Sequence, residues 1–475
     1  MGCKACCQKI PTRFLIAAMI FFTNYICYVA RSNISISLPA MVKSHKKETL
    51  VADCIQNGIN YKQNTTQAEL DIDTGVKYDW NEHVQGLILG AYFYGYLFGC
   101  LPAGTMAEWI GPVWTIQTSN IITIILNSAC VWLVAIHWGA LFAARFVIGI
   151  CGALVYPSIQ CLVSRWAPPE ERNIFIACLM GGALGTCMTW IIVGAVTKYY
   201  QWSWGFHVMT LQMLIFCIVF GIVTFDSPEL HKWITEKELN YIKVSQEGKV
   251  STKKAVPPYK AIFKSFPFWS LSILHFGNMW GLYVQLTTVP KFMKEYVGFD
   301  IKDSGALSSL PHLLRLFSGF SFGYLGDFLR RKKIKRSIIM KSFIICSHLI
   351  PGILMATLAL ADCNSIFVVV LLTLSMCFNG AAVVTNLTNP MDLSPNFAGT
   401  ITGIISFIGG VTGFMVPSTM AELLTAFESK KIGWGAMFAI GGFMYCICGI
   451  FFMIFGSTDI QPWNEKVETQ QETST

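Results

Sequence analysis

Two arginines stand deep inside long apolar runs of this 475-residue chain: Arg31 in the run from 14 to 39, and Arg145 in the run from 140 to 164. A charge near mid-membrane costs about 3 kcal/mol or more, so it is kept where it faces a partner, a cavity or a solute path. In the first run Asn24, Tyr28, Arg31 and Ser35 recur at spacings of four, three and four, which places them on one helix face. Guanidinium is a rigid fork of donors matched to carboxylate or phosphate. This face is therefore a candidate anion site; the alternative is a structural arginine bonded to backbone carbonyls near the membrane edge. Arg145 shares a face with Gly149, Gly152 and Tyr156, ahead of a kinking Pro157. It either binds an anion or pairs with a carboxylate to hold neighbouring helices, and the sequence leaves both open. Later runs add His275, Asn278, Gln285, His312 and Arg315. Arg315 is a third candidate cation, and Asn278 shares a face with Gln285. The histidines titrate near neutral pH and are candidate proton carriers, against the plainer reading of hydrogen-bonded packing. Asn379 and Asn386 give the run 365–388 a weak polar face, read as interhelical glue.

Positioning these residues requires membrane-spanning helices. The chain is 53% hydrophobic and 13% charged, about half the charge of a soluble domain. Twelve runs are long enough to span: 14–39, 84–107, 113–136, 140–164, 172–197, 206–225, 267–293, 304–326, 337–360, 365–388, 397–424 and 433–456. They are too long, and alternate too little, for a β-barrel. The expected fold is all-α, with an N-terminal six-helix half (14–225), a central loop (226–266), a C-terminal six-helix half (267–456), a short N-terminus (1–13) and a disordered tail (457–475). Six of the seven residues 330–336 are basic, and 226–264 holds eight lysines against five acids, whereas 43–83 holds five lysines against seven acids. The positive-inside rule then puts 226–264, 330–336 and both termini in the cytosol, and 43–83 outside or in a lumen. Asn64 opens a glycosylation sequon in that outer loop; the sequons at Asn33 and Asn386 fall inside spans. Cys54 and Cys363 are the cysteines expected in outer loops, as a disulfide or, more plainly, two free thiols. Gly2 lacks the myristoylation pattern because residue 6 is Cys, which leaves palmitoylation of Cys3, Cys6 or Cys7 as a minor alternative.

The net charge of +8 sits in short loops without an aromatic-basic module, so no nucleic-acid partner is expected. There is no P-loop, HExxH, nucleophile elbow or metal-spaced Cys/His cluster, so neither an enzyme, a metal site nor an ATP-driven pump is expected. Two six-span halves suggest a duplicated transporter. The halves echo each other: Gly104 and Glu108 lie four apart after the second run, and Gly323 and Asp327 lie four apart after the eighth. A glycine allows close helix approach, and the carboxylate can meet basic residues or a helix N-terminus. This pair resembles the loop signature of the major facilitator superfamily, with Phe328 where that signature usually has Arg.

Nearly the whole chain, about residues 12–465, is similar to solute carrier family 17, the anion–cation symporter branch of that superfamily. The resemblance rests on Arg31-x-Asn33, the run from Arg145 to Pro157, RWAPPEER at 165–172, LPHL at 310–313, GDFLR at 326–330 and QPWNE at 461–465. It implies a twelve-helix carrier of organic anions or phosphate, working by alternating access, in which the arginines at 31 and 145 matter for transport. It also marks departures. Vesicular and lysosomal members carry a proton-coupling Glu where this chain has Gly152, and the vesicular glutamate carriers carry His and Arg where it has Leu89 and Asn278. The expectation is a monomeric, cation-coupled carrier of small anions (inorganic phosphate or carboxylates) without a cofactor, driven by Na+ or H+. It would reside in the plasma membrane or a lysosomal or vesicular membrane. Alternatives are an anion sensor on the same fold, a channel-like conductance, or a proton-coupled acidic-sugar carrier of the sialin type.

Overall fold

The computed structural model describes residues 11–43, 75–246, 256–297, 301–361, 364–427 and 429–464. The sequon at Asn64 and residues Cys3, Cys6, Cys7, Cys54 and Cys363 lie outside the described residues. The first half comprises α1 (Thr12–Met41), α2 (Glu82–Trp109), α3 (Pro112–Ile136), α4 (Trp138–Trp166), α5 (Arg172–Ala177, Cys178–Met180 and Gly181–Tyr199) and α6 (Trp202–Val223). The second comprises α7 (Phe266–Tyr283, continued by wide turns to Val297), α8 (Ile301–Arg331), α9 (Arg336–Ile344 to Leu358–Leu360), α10 (Ser365–Asn379), α11 (Ala398–Gly410 and Thr412–Ala426) and α12 (Lys430–Phe455). Ten of these paths are long and apolar enough to cross a bilayer by composition alone; α7 and α8 complete the set of twelve. Helices are the natural solution because each bonds its own backbone groups where no water can. Large apolar side chains such as Ile125, Leu211, Ile222, Phe443 and Ile454 stay exposed on the outer surface, as a lipid-facing rim requires.

Within the first half, α2 and α4 approach backbone to backbone. A Cβ on Gly99 would stand 2.7 Å from the Ile150 carbonyl oxygen, and Gly95 and Gly149 are equally tight against the partner backbone. Between halves, the principal packing is the first segment of α11 on α2 and α4, and α8 on α5. Both junctions lie toward the face that carries 226–246, 256–264 and 330–336, here called the basic face.

Three expectations are corrected. The tenth helix stops at Asn379 rather than 388; beyond it, 380–388 form tight turns whose carbonyls serve other helices, Val384 accepting from Arg336 (2.9 Å) and Leu387 from Gln160 (3.0 Å). The tail is ordered as far as Asn464: Trp463 is buried, and Asn464 Oδ1 accepts from Ser394 Oγ at 2.7 Å. A tryptophan that large gains more by packing than a polar tail loses in chain freedom. The central loop contains a helix, Glu236–Gln246, whose signal was a capping box: the Glu238 N–H donates to Thr235 Oγ1 at 3.3 Å. This loop helix clamps the start of α1. The Glu238 carboxylate accepts from the Thr12 and Arg13 N–H groups (2.9 and 3.0 Å) and pairs with the Arg13 guanidinium (3.2 Å), which also meets Glu171 at 2.8 Å.

Replacing Glu238 with Ala removes those acceptors while Glu171 still holds Arg13. The expected cost is about 1–2 kcal/mol of stability. A lowered melting temperature, with faster protease nicking of the central loop, would confirm the clamp; unchanged values would show the loop helix to be undocked in solution.

Candidate functional site

Where the halves face each other, a central cavity of about 170 Å³ is lined by α1, α2, α4, α5, α7, α8 and α11. Arg31 enters it from α1 and Arg315 from α8, so each half contributes one cation. Four aromatic rings surround Arg31: its guanidinium carbon is 4.8 Å from the Phe93 ring centre, 5.2 Å from Tyr28, 5.8 Å from Tyr92 and 5.9 Å from Tyr283. The negative faces of these rings stabilise the cation without neutralising it. Arg315 is steered by Asn379, whose Oδ1 accepts from its Nε at 3.0 Å, while the Asn379 amide donates to the Ser347 carbonyl at 3.1 Å. Among the described residues no carboxylate lies within ion-pair distance of Arg31 or Arg315. Tyr28 lies within electrostatic reach of both guanidinium groups. Two cations facing one cavity with no carboxylate among the described residues offer the charge and the N–H donors that an anionic group needs.

Asn24, Tyr28, Arg31, His312 and Arg315 all line this cavity. The Asn24 amide bonds the Leu179 carbonyl at the tight turn that interrupts α5. Ser35 does not line the cavity and is exposed. Two other candidates are placed elsewhere. Asn278 is buried away from the cavity, in the packing of α7. Arg145 is fully buried behind α1 and donates to the backbone carbonyls of Ala30 (2.8 Å) and Arg31 (2.9 Å). Among the described residues no carboxylate lies within ion-pair distance of it, and it does not line the cavity. Bonded to the backbone of Arg31 itself, it fixes the segment that aims Arg31. The sequence reading missed Tyr92, Tyr96 and Tyr283. A signal existed for two of them: residues 92 and 96 are four apart on one face of α2. His275 also reaches the cavity, with Nδ1 against the Asn386 amide at 3.0 Å.

The basic face is closed by a matched pair of latches. Glu108 of α2 accepts from the N–H and Oγ1 of Thr400, both at 2.8 Å, at the N-terminus of α11. Asp327 of α8 accepts from the N–H groups of Asn173 (3.1 Å) and Ile174 (2.8 Å), and from the Asn173 amide (2.8 Å), at the N-terminus of α5. Neither helix start has a side-chain cap of its own. Each carboxylate therefore caps a helix of the opposite half, where orphan N–H groups and the positive end of the dipole favour it. Gly104 and Gly323 let the helices approach: a Cβ on Gly104 would collide with the Thr400 backbone, and one on Gly323 would stand 3.1 Å from the Asn173 carbonyl oxygen.

Residues 20–417 match the Major Facilitator Superfamily. Sialin of the sheep Ovis aries is 30% identical over 96% of this chain and 91% of its own length. This protein belongs to solute carrier family 17 of the major facilitator superfamily. A Drosophila melanogaster relative named "Putative inorganic phosphate cotransporter" is 29% identical over 97% of this chain and 88% of its own length. The solved proton:xylose symporter XylE, bound to 6-bromo-6-deoxy-D-glucose, shares the fold with a TM-score of 0.68 at 12% identity, over 96% of this chain and 98% of that one. As a family 17 carrier the chain is a multi-pass integral membrane transport protein, not an enzyme.

Substituting Arg145 with Ala removes two hydrogen bonds to α1 and empties a buried site, a loss of about 3 kcal/mol. The expected result is a poor folded yield and a lower melting temperature, with near-normal ligand affinity in whatever protein survives. Normal melting with lost affinity would instead make Arg145 a direct ligand contact.

Proposed function

We propose that this family 17 carrier moves a small organic anion by alternating access, with its negative group held between Arg31 and Arg315. The observation that carries this reading is the pair of cavity cations without a counter-ion. The wall argues for a carbon skeleton on the solute. Val155, Leu179, Met180, Leu282, Leu286 and Leu387 line the cavity, apolar surface that a carbon skeleton covers and inorganic phosphate cannot use. A carboxylate with a short apolar or hydroxylated body satisfies both the cations and the wall.

Latched at the basic face, the present conformation leaves the opposite side as the one from which the solute enters. Opening requires Glu108 and Asp327 to release their helices, and a rocking motion of the halves does this without remodelling either. The positive-inside rule assigns the basic face, and both termini, to the cytosol. We assign the driving force to a cation gradient. Among the described residues no carboxylate lines the cavity, and Gly152 leaves no side chain there to take a proton, so sodium is favoured; His275 and His312 are the alternative proton carriers. A monomer in the plasma membrane or a lysosomal or vesicular membrane completes the proposal.

Uptake into proteoliposomes tests this directly, with labelled carboxylates and labelled phosphate offered under sodium, proton or no gradient. Carboxylate uptake is expected to exceed phosphate uptake and to fall to background in Arg31→Ala, with folded protein recovered normally. Phosphate uptake that no carboxylate competes with would overturn the organic-anion reading. Asn379→Leu, which frees Arg315 from its guide, is expected to raise KM about ten-fold or more, from the loss of one hydrogen bond to a charged group. An unchanged KM would remove Arg315 from the site.

A further inference from the structure

A second group of cations lies outside the central cavity, where the halves meet on the basic face. Arg172 opens α5 in the first half, Arg330 closes α8 and Arg336 opens α9 in the second. Arg330 lies within charge–charge range of both other arginines. Three carboxylates stand in charge range of the cluster: Asp392, Asp327 and the exposed Glu170. Asp392 meets Arg336 at 2.8 Å and Arg172 only at 3.9 Å. Asp327 is already occupied by three donors from Asn173 and Ile174. Among the described residues, Arg172 Nε, Arg330 Nη1 and Arg336 Nη1 are buried with no hydrogen-bond partner. Arg172 is only 5% exposed, so solvent does not readily reach it. Orphan guanidinium N–H groups from three helices and both halves call for a ligand with several acceptor oxygens and more than one negative charge.

We infer that a phosphate group binds at this junction, seated on Arg172, Arg330 and Arg336. A phosphomonoester brings three strong acceptor oxygens, one for each orphan guanidinium N–H, and a charge of about −1.5 to −2 that the neighbouring lysines also attract. The exposed Lys332, Lys333 and Lys335 continue the basic surface outward from this seat. Such a cluster beside a span end suits the headgroup of an anionic phospholipid as well as a free phosphate. Because the ligand would touch α5 of one half and α8 and α9 of the other, it holds the basic face closed and slows the opening step.

The test uses the full chain carrying Arg31→Ala and Arg315→Ala, so that neither cavity cation remains and the outcome does not depend on what that cavity transports. Its melting temperature is measured in detergent with inorganic phosphate against chloride at equal ionic strength. The same measurement is made in phosphatidylcholine nanodiscs with and without phosphatidylinositol bisphosphate. A rise of several degrees with inorganic phosphate identifies a free-anion site; a rise only with the phosphoinositide identifies a lipid headgroup site. Replacing Arg330 with Gln is expected to abolish the rise. Replacing Lys332, Lys333 and Lys335 together with Gln, at exposed positions that leave folding intact, is expected to reduce it at least two-fold. No rise in either setting, or a rise that both variants leave unchanged, overturns the proposal.

Discussion

The structure depends on positive charge held in a low-dielectric space without a fixed counter-ion. A carboxylate beside Arg31 would make that residue easy to bury and useless for binding. Four aromatic rings do something different: they lower the cost of the cation while leaving its charge for a solute. Three of those rings come from the first half and one, Tyr283, from the second. The environment of Arg31 is therefore completed only when the halves face each other, and it changes when they rock.

Around that cavity, backbone groups do most of the positioning. Arg145 bonds the carbonyls of α1 at the residue that carries Arg31, and Asn24 ties the same helix to the interrupted turn of α5. Asn379 steers Arg315 and is itself fixed on a carbonyl of α9. Buried polar atoms in lipid are expensive unless bonded, so each of these side chains bonds backbone as it aims a neighbour. The latches follow the same logic. Glu108 and Asp327 use helix starts that lack caps of their own, so the closed face is held by groups that must be satisfied somewhere. Releasing them exposes the same N–H groups to water, which keeps the two conformations close in free energy.

Much of this was legible in the sequence. The twelve runs gave the fold class, because apolar length has one interpretation in a bilayer. The α1 stripe put Asn24, Tyr28 and Arg31 on one face, and all three line the cavity while Ser35 does not, because a 3.6-residue period is local and the cavity's depth is not. The Gly104–Glu108 and Gly323–Asp327 pairs were recognisable as equivalent, although the N-termini they cap were not. The tenth helix was read nine residues too long because 380–388 is apolar enough to span, yet its carbonyls are claimed by Gln160 and Arg336 from elsewhere in the chain.

By itself the sequence determined a two-half, all-helical membrane carrier with surplus positive charge in its interior, since hydropathy, period and charge are properties of contiguous residues. Tertiary structure alone decided what each charge does. Arg31 and Arg145 read alike in sequence, each an arginine with small or polar residues on its face. Only the packing of α4 behind α1 turns one guanidinium onto backbone and leaves the other in the cavity. Likewise Tyr283 and Arg315 lie more than 250 residues from Arg31 in the chain. Their meeting with Arg31 is a fact about how two bundles dock, and no local pattern encodes it.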